Sequence, residues 1–265
     1  MIPSMNPSRL FLAGLVVWAG LAGAQSVASQ MKPQEAATQV NDVRVPFVGC
    51  ASDGQAGPLK APAGQSKLVA IPAGDAARLA YYKAEYSAGV LAPRGWHCFS
   101  TYGSNGANLF VSPDPIDPKA PFSENWKGFP GAAVQVSVSL GGTSGRFQVA
   151  KIIAHVFPEY KAFAESVIAE GIEPASDFPF GPYPNDKLTY RSKSVAEFET
   201  PANREGLGTS SQLQAGSSPI DGVAILSGAD TDLVLLSARL SEKDRDLIPA
   251  IVGQVEKESA GSGAQ

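Results

Sequence analysis

Two nearly all-apolar runs, late in the chain and separated by a short turn, restrict its fold more than any other feature. The runs are Val223–Ser227 and Leu233–Leu240, with Gly228-Ala229-Asp230 between them. Apolar runs on either side of a glycine-containing turn are typical of a β-hairpin. A strand without polar alternation is buried on both faces. The sequence therefore predicts a central hairpin in a sheet that has other elements packed on both sides.

Further strands are predicted before this hairpin. Trp96–Tyr102 and Ala107–Val111 flank an Asn-Gly turn, which favours a second hairpin because both turn residues tolerate positive φ. Residues 134–140 alternate between apolar and polar side chains, which predicts a half-buried strand. Shorter runs predict strands at Val43–Val48, Lys67–Ile71, Lys187–Arg191 and Val195–Thr200.

Helical spacing of apolar residues occurs in three segments. The strongest pattern runs over Val149–Val167, with Pro158 marking a kink or break. Another helix is predicted to begin at Asp75 and to end at about Ser87. The last helix covers 247–255 and is expected to begin near Asp246.

Strands and helices are interleaved, and the two hairpins argue against a purely parallel sheet. The predicted fold class is therefore α+β, with a mixed or antiparallel sheet and about three helices packed on it. No internal repeat or clear linker occurs, so a single globular domain is predicted over residues 43–258. Residues 25–42 are expected to form a flexible N-terminal segment, and residues 259–265 a disordered tail.

The first 24 residues have the features of an export signal. Arg9 precedes an unbroken run of apolar and small residues, Leu10–Ala22, and Ala22-Gly23-Ala24 offers a signal peptidase the small residues it accepts. The run is shorter than the roughly 20 residues of a membrane-spanning helix, so an uncleaved anchor is the lesser alternative. No later segment is apolar enough to span a membrane. The sequence predicts a periplasmic or secreted protein, cleaved after Ala24.

Cys50 and Cys98 are the only cysteines in the chain. Two cysteines in an exported chain most often pair, so a disulfide between them is predicted. Phe47–Cys50 also resembles a lipoprotein cleavage box, but many polar residues separate it from the apolar run of the leader. A free catalytic thiol is the remaining alternative.

Charge and motif spacing exclude several classes of partner and site. With 21 basic and 25 acidic residues the net charge is −4, and no block of Lys or Arg occurs, which argues against nucleic acid as a partner. His97 and His155 are the only histidines, and no spacing typical of metal ligands occurs, so no metal site is predicted. No Gly-x-Ser-x-Gly motif or nucleotide-binding glycine loop occurs, so no cofactor is predicted.

One loop is a candidate binding site. It follows the strand pattern of 134–140, precedes the strongest helix pattern, and contains Gly142, Thr143, Ser144, Gly145 and Arg146. Glycines let backbone N–H groups converge on one point, a helix N-terminus favours negative charge, and an arginine adds a charge-assisted hydrogen bond. The loop is therefore predicted to bind a small anion. The alternative is a tight strand-to-helix turn in which Ser144 caps the helix.

Five stretches resemble a group of exported bacterial proteins of unknown function. They are Phe47–Pro58 (FVGCASDGQAGP), Ala92–Gly106 (APRGWHCFSTYGSNG), Gly141–Phe147 (GGTSGRF), Phe178–Ser192 (FPFGPYPNDKLTYRS) and Glu205–Thr209 (EGLGT). The resemblance covers most of the chain from Pro46 to about Glu256. It implies an exported, single-domain bacterial protein with both cysteines in recurring motifs, and it implies no activity, ligand or catalytic residue.

These observations predict a non-catalytic binding or envelope-associated domain that is exported from the cytoplasm. The expected partner is a small anionic ligand or a component of the cell envelope. The alternative is an envelope hydrolase in which Cys98 is the nucleophile and His155 is the base. The state of Cys98 distinguishes the two hypotheses, because a disulfide-bonded cysteine cannot be a nucleophile.

Overall fold

The computed structural model describes residues 40–262 of the chain. The strands are β1 (Val40–Gly49), β2 (Ser52–Gly54), β3 (Ser66–Pro72), β4 (Leu79–Lys83), β5 (Val90–Pro93), β6 (His97–Gly103), β7 (Gly106–Ser112), β8 (Ala133–Ser139), β9 (Lys187–Ser192), β10 (Val195–Thr200), β11 (Ile220–Ser227) and β12 (Asp232–Arg239). The helices are α1 (Ala73–Ala76), α2 (Arg146–Val156), α3 (Lys161–Ala169) and α4 (Ile248–Ser262). None of these helices is long and apolar enough to cross a membrane. The predicted leader, residues 1–24, and most of the predicted flexible segment, residues 25–39, lie outside the described residues.

The apolar hairpin of β11 and β12 lies in the middle of an eight-stranded sheet, as the sequence predicts. The strand order is β2-β6-β7-β8-β12-β11-β10-β9, and only β2 and β6 pair in parallel. The second predicted hairpin joins β6 to β7, and Gly106 adopts a φ of +136° in its turn. A smaller sheet has the order β3-β1-β4-β5, with β1 and β4 parallel. Two mixed sheets with helices on them confirm the α+β class.

Both faces of the large sheet are covered. Val136, Val223 and Leu236 point to one face and share a hydrophobic cluster with α4 and the small sheet. Ala224 and Leu235 point to the opposite face and pack against α2 and α3. The central strands therefore bury apolar side chains on both sides, which explains why their sequence lacks polar alternation.

The prediction of a helix from Asp75 to about Ser87 is wrong. Helix α1 has only four residues, and Leu79–Lys83 forms β4, which pairs in parallel with the end of β1. Residues 79–82 are all buried. In a segment that is buried on every side, apolar residues follow no regular period. The spacings of three and four residues between them therefore resembled the apolar face of a helix. Pairing with β1 decides the conformation of this segment.

The folded region extends beyond its predicted ends. Strand β1 begins at Val40 rather than Val43, because residues 40–46 pair with β3. Helix α4 continues to Ser262, into the segment that the sequence predicted as a disordered tail.

The remaining helix boundaries follow their sequence signals. The strongest helical pattern breaks near Pro158, since α2 ends at Val156 and α3 begins at Lys161. Helix α4 begins at Ile248, which places Pro249 in its first turn, where the missing N–H is tolerated.

Candidate functional site

Cys50 and Cys98 form the predicted disulfide, with their α-carbons 5.4 Å apart. The bond ties the end of β1 to β6 and therefore joins the two sheets. No cysteine is free. Because Cys98 has no thiol, the hydrolase alternative lacks its nucleophile. A structural disulfide is typical of proteins in an oxidising compartment outside the cytoplasm.

The proposed base, His155, is also separated from Cys98. His155 lies on α2, which packs on one face of the large sheet, whereas Cys98 packs with the cluster on the other face. The Nδ1 atom of His155 is 2.7 Å from the carbonyl oxygen of Gly181, and its ring stacks on Tyr183 with a centroid distance of 4.0 Å. These contacts give His155 a structural role at the surface of α2.

The loop predicted to bind an anion is a turn with internal hydrogen bonds. The hydroxyl of Thr143 donates to the carbonyl oxygen of Leu140 at 2.9 Å and accepts from the N–H of Gly145 at 3.1 Å. The N–H of Arg146 donates to the carbonyl oxygen of Thr143 at 3.2 Å. Two backbone donors of the loop are thus satisfied from within. Gly145, rather than Ser144, precedes the helix, and no side chain caps it.

Arg146 faces a carboxylate at the end of α3. Its Nε and Nη2 atoms donate to Glu170 at 2.9 and 2.6 Å, and Nη1 donates to the carbonyl oxygen of Thr143 at 2.8 Å. This pairing raises the pKa of Arg146 and lowers the pKa of Glu170. The contacts favour the structural turn, and anion binding by this loop stays a prediction.

Ser144 and Gly145 line a cavity of about 340 Å³, which we call the polar cleft. The cleft lies over β7 and β8, beside the start of α2. Its polar wall includes Asn105, Asn108, Gln135, Ser137, Ser144 and Gln148. Phe147 and Leu235 contribute apolar surface. Amide and hydroxyl groups therefore dominate the wall.

A fixed hydrogen-bond network forms the floor of the cleft. Strand β8 is the alternating strand of the sequence, and its polar residues Gln135 and Ser137 face the cleft. The Nε2 atom of Gln135 donates to the hydroxyl of Ser137 at 2.8 Å, and its Oε1 atom accepts from the N–H of Gln212 at 2.7 Å. Gln135 is 3% exposed, so this network holds the floor in one arrangement.

Other polar groups around the cleft are free to bind a ligand. Within residues 40–262, the side chains of Asn105, Ser139, Ser144 and Gln148 make no hydrogen bond. Amides and hydroxyls of this kind act both as donors and as acceptors.

One ion pair contributes the only charges in the wall of the cleft, as far as residues 40–262 show. The Nζ atom of Lys151 is 2.8 Å from the Oε2 atom of Glu173. The same Oε2 atom is buried. The charges in the wall of the cleft therefore cancel one another.

A second cavity, of about 570 Å³, adjoins the cleft and shares Ser210, Ser211 and Gln212 with it. The shared segment is anchored by Asp186, whose carboxylate accepts from the N–H of Leu207 at 2.7 Å and from the hydroxyl of Thr200 at 2.8 Å. Burial raises the pKa of Asp186, and these two donors lower it. The anchoring fixes the position of the wall that both cavities share.

A different cavity, of about 440 Å³, is rich in carboxylates and lies between β9–β11 and α4. Arg191 pairs with Glu197 at 2.7 Å, and Arg245 pairs with Asp221 at 3.4 Å. Burial raises the pKa of both Glu256 and Asp221. No group of residues suited to hold a metal ion occurs in residues 40–262. Arg191 and Glu197 pair with one another, and Glu199 and Asp221 pair with Arg245, so this cavity is the weaker candidate.

The sequence identified only part of the polar cleft. It singled out Ser144 and Gly145 for a different ligand, and the alternation of β8 revealed Gln135 and Ser137 as a polar face. It gave no sign that Gln212, far along the chain, completes the same wall. No protein-family model, curated protein or solved structure matches the chain.

Proposed function

We propose that the protein is an exported, non-catalytic binding domain and that its polar cleft binds a neutral saccharide of the cell envelope. The observation that carries this proposal is the lining of the cleft. A cavity of about 340 Å³ is surrounded by amide and hydroxyl side chains, several of which have no partner in the described chain. Cavities of roughly 300 to 1,000 Å³ hold small ligands.

The chemistry of the free groups favours a saccharide. Each sugar hydroxyl both donates and accepts hydrogen bonds, and the side chains of Asn105, Ser144 and Gln148 have the same dual capacity. Phe147 offers an apolar surface to the C–H face of a sugar ring.

The charges near the cleft favour a neutral ligand over an anion. Lys151 and Glu173 neutralise one another, and Arg146 is held by Glu170. Among residues 40–262, an anionic ligand in the cleft would therefore meet no lining cation that is not already paired. Of the ligands expected from the sequence, these charges favour a neutral component of the envelope.

The same lining favours binding over hydrolysis. Hydrolysis of a glycosidic bond commonly uses two carboxyl groups on opposite sides of the bond. Within residues 40–262, Glu173 is the only carboxylate in the wall of the polar cleft. Neither a histidine nor a cysteine lines the cleft in this part of the chain.

Isothermal titration calorimetry with a panel of neutral and acidic mono- and disaccharides tests the proposal. We expect at least one neutral sugar to bind, and Gln148→Ala to weaken that binding about tenfold, as for one or two lost hydrogen bonds. Ser166→Ala is the matched control, because Ser166 is exposed on the neighbouring helix α3 and lies outside the cleft.

Two results would contradict the proposal. One is the absence of binding by every neutral sugar of the panel to a correctly folded protein. The other is equal affinity in the wild type and in Gln148→Ala.

A further inference from the structure

Arg239 is a cation in the interior of the protein. It ends β12 and is 3% exposed. Its Nη1 atom donates to the carbonyl oxygens of Pro130 at 3.1 Å and Gly131 at 3.2 Å, and its Nη2 atom donates to the carbonyl oxygen of Gln214. No carboxylate among residues 40–262 pairs with it, and burial lowers its pKa. Arginine nevertheless stays protonated in proteins, so a full charge is buried here.

Two hydrogen-bond donors of β12, one of them on the guanidinium itself, are unused within the described chain. The Nε atom of Arg239 and the hydroxyl of Ser237 are buried and have no partner within the described chain. Ser237 is 0% exposed. The two residues are two positions apart on β12, so their side chains point to the same face of the sheet and their α-carbons are about 7 Å apart.

An anion fits these donors better than a water molecule does. A water molecule would accept both hydrogen bonds but would leave the charge of the guanidinium unbalanced. The carbonyl groups of Pro130, Gly131 and Gln214 offset that charge only in part, because they carry partial charges. An unpaired buried charge is costly, and a monovalent anion removes that cost while it accepts from both donors.

We propose that Arg239 and Ser237 bind a small monovalent anion of the size of chloride. The ion contacts Arg239 Nε and Ser237 Oγ, beneath the segments that contain Pro130 and Gln214. These segments also pair directly, since the N–H of Phe129 donates to the carbonyl oxygen of Gln212 at 2.7 Å. The bound ion therefore stabilises the part of the fold where both segments meet β12.

Crystals of the protein grown in bromide test the site directly, because bromide replaces chloride and scatters anomalously. We expect an anomalous peak within hydrogen-bond distance of Arg239 Nε and Ser237 Oγ. A water molecule at that position, or bromide peaks confined to the surface, would overturn the proposal.

Thermal unfolding in sodium chloride and in sodium gluconate at equal ionic strength gives a second test. We expect chloride to raise the melting temperature of the wild type above its value in gluconate. In Ser237→Ala, the chloride concentration that gives half of this rise in melting temperature should be about tenfold higher, because one hydrogen bond to the ion is lost. Arg239→Met should abolish the response.

Arg94→Met is the matched control. Arg94 also donates to carbonyl groups, but its Nε atom already has a partner, the carbonyl oxygen of Leu79 at 2.9 Å. This variant should keep the full response to chloride. Equal melting temperatures of the wild type in chloride and gluconate would contradict the proposal, even if Arg239→Met fails to fold.

Discussion

The side-chain oxygen of Gln135 accepts a hydrogen bond of 2.7 Å from the backbone N–H of Gln212 and so joins the floor of the polar cleft to its wall. The two residues are 77 positions apart in the chain. Gln135 also donates to Ser137, so one buried amide orients two parts of the site. The side chain of Gln135 therefore contributes to the geometry of the cleft, together with the backbone hydrogen bond from Phe129 to Gln212.

Gln135→Leu should destabilise the protein and open the wall of the cleft. The substitution leaves the N–H of Gln212 without its acceptor, at a cost of about 1–3 kcal/mol. Gln135→Glu retains an acceptor and should destabilise less at a pH low enough to keep its buried carboxyl group protonated. Urea unfolding and hydrogen exchange at the amide of Gln212 measure both effects. Unchanged protection of that amide in Gln135→Leu would show that the link does not hold the wall.

Removing the disulfide should cost the most stability. The bond between Cys50 and Cys98 closes a loop with a sequence separation of 48, and such a loop restricts the unfolded chain by roughly 4 kcal/mol in the chain-entropy model. The variant with alanine at both positions should lose about this much in urea unfolding. Thiol labelling of the denatured, unreduced wild type should find no free cysteine. Two labelled cysteines would restore the thiol that the hydrolase alternative requires.

Arg146 and Glu170 should be coupled in stability. Arg146→Ala and Glu170→Ala each remove the same pair of hydrogen bonds between the two side chains. The double variant should therefore lose less stability than the summed losses of the two single variants. The coupling should weaken with added salt. Melting temperatures in millimolar phosphate distinguish a structural ion pair from an anion site. A phosphate-induced rise in melting temperature that Arg146→Ala abolishes would favour the anion site.

Glu256→Gln should stabilise the protein at neutral pH. Burial raises the pKa of Glu256, and the negative charge of Glu197 raises it further. A raised pKa in the folded state favours the protonated form, so this contribution to stability is complete in acid and is lost as the pH rises through that pKa. The glutamine side chain in Glu256→Gln does not ionise, so the variant does not lose this stability as the pH rises.

Melting temperatures across pH test this expectation. The difference between Glu256→Gln and the wild type should be small at about pH 4 and positive at about pH 7. Glu165→Gln, an exposed residue of α3 that pairs with Lys161, is the matched control. A destabilised Glu256→Gln at neutral pH would show that the carboxylate is held by favourable contacts.

Local patterns predicted the parts of the fold that local chemistry determines. The apolar runs of β11 and β12, the Asn-Gly turn before β7 and the break at Pro158 all have short-range causes. The disulfide was predictable because Cys50 and Cys98 are the only cysteines.

Long-range pairing determines what the sequence did not reveal. Residues 79–83 form a strand because β1 lies beside them, and no nearby residue signals that pairing. The polar cleft is likewise assembled from distant segments, since Asn105, Ser144 and Gln212 belong to three different loops. Each of these residues alone is an ordinary polar loop residue.

Backbone amide NMR tests the central claim most directly, namely that the polar cleft binds a neutral saccharide. The labelled protein is titrated with neutral saccharide fragments of envelope polysaccharide. The account predicts saturable shifts of the amides of Asn105, Ser144, Gln148 and Gln212, with no shift at Glu197 in the carboxylate-rich cavity. An absence of shifts in the cleft, or shifts concentrated around Glu197, would contradict it.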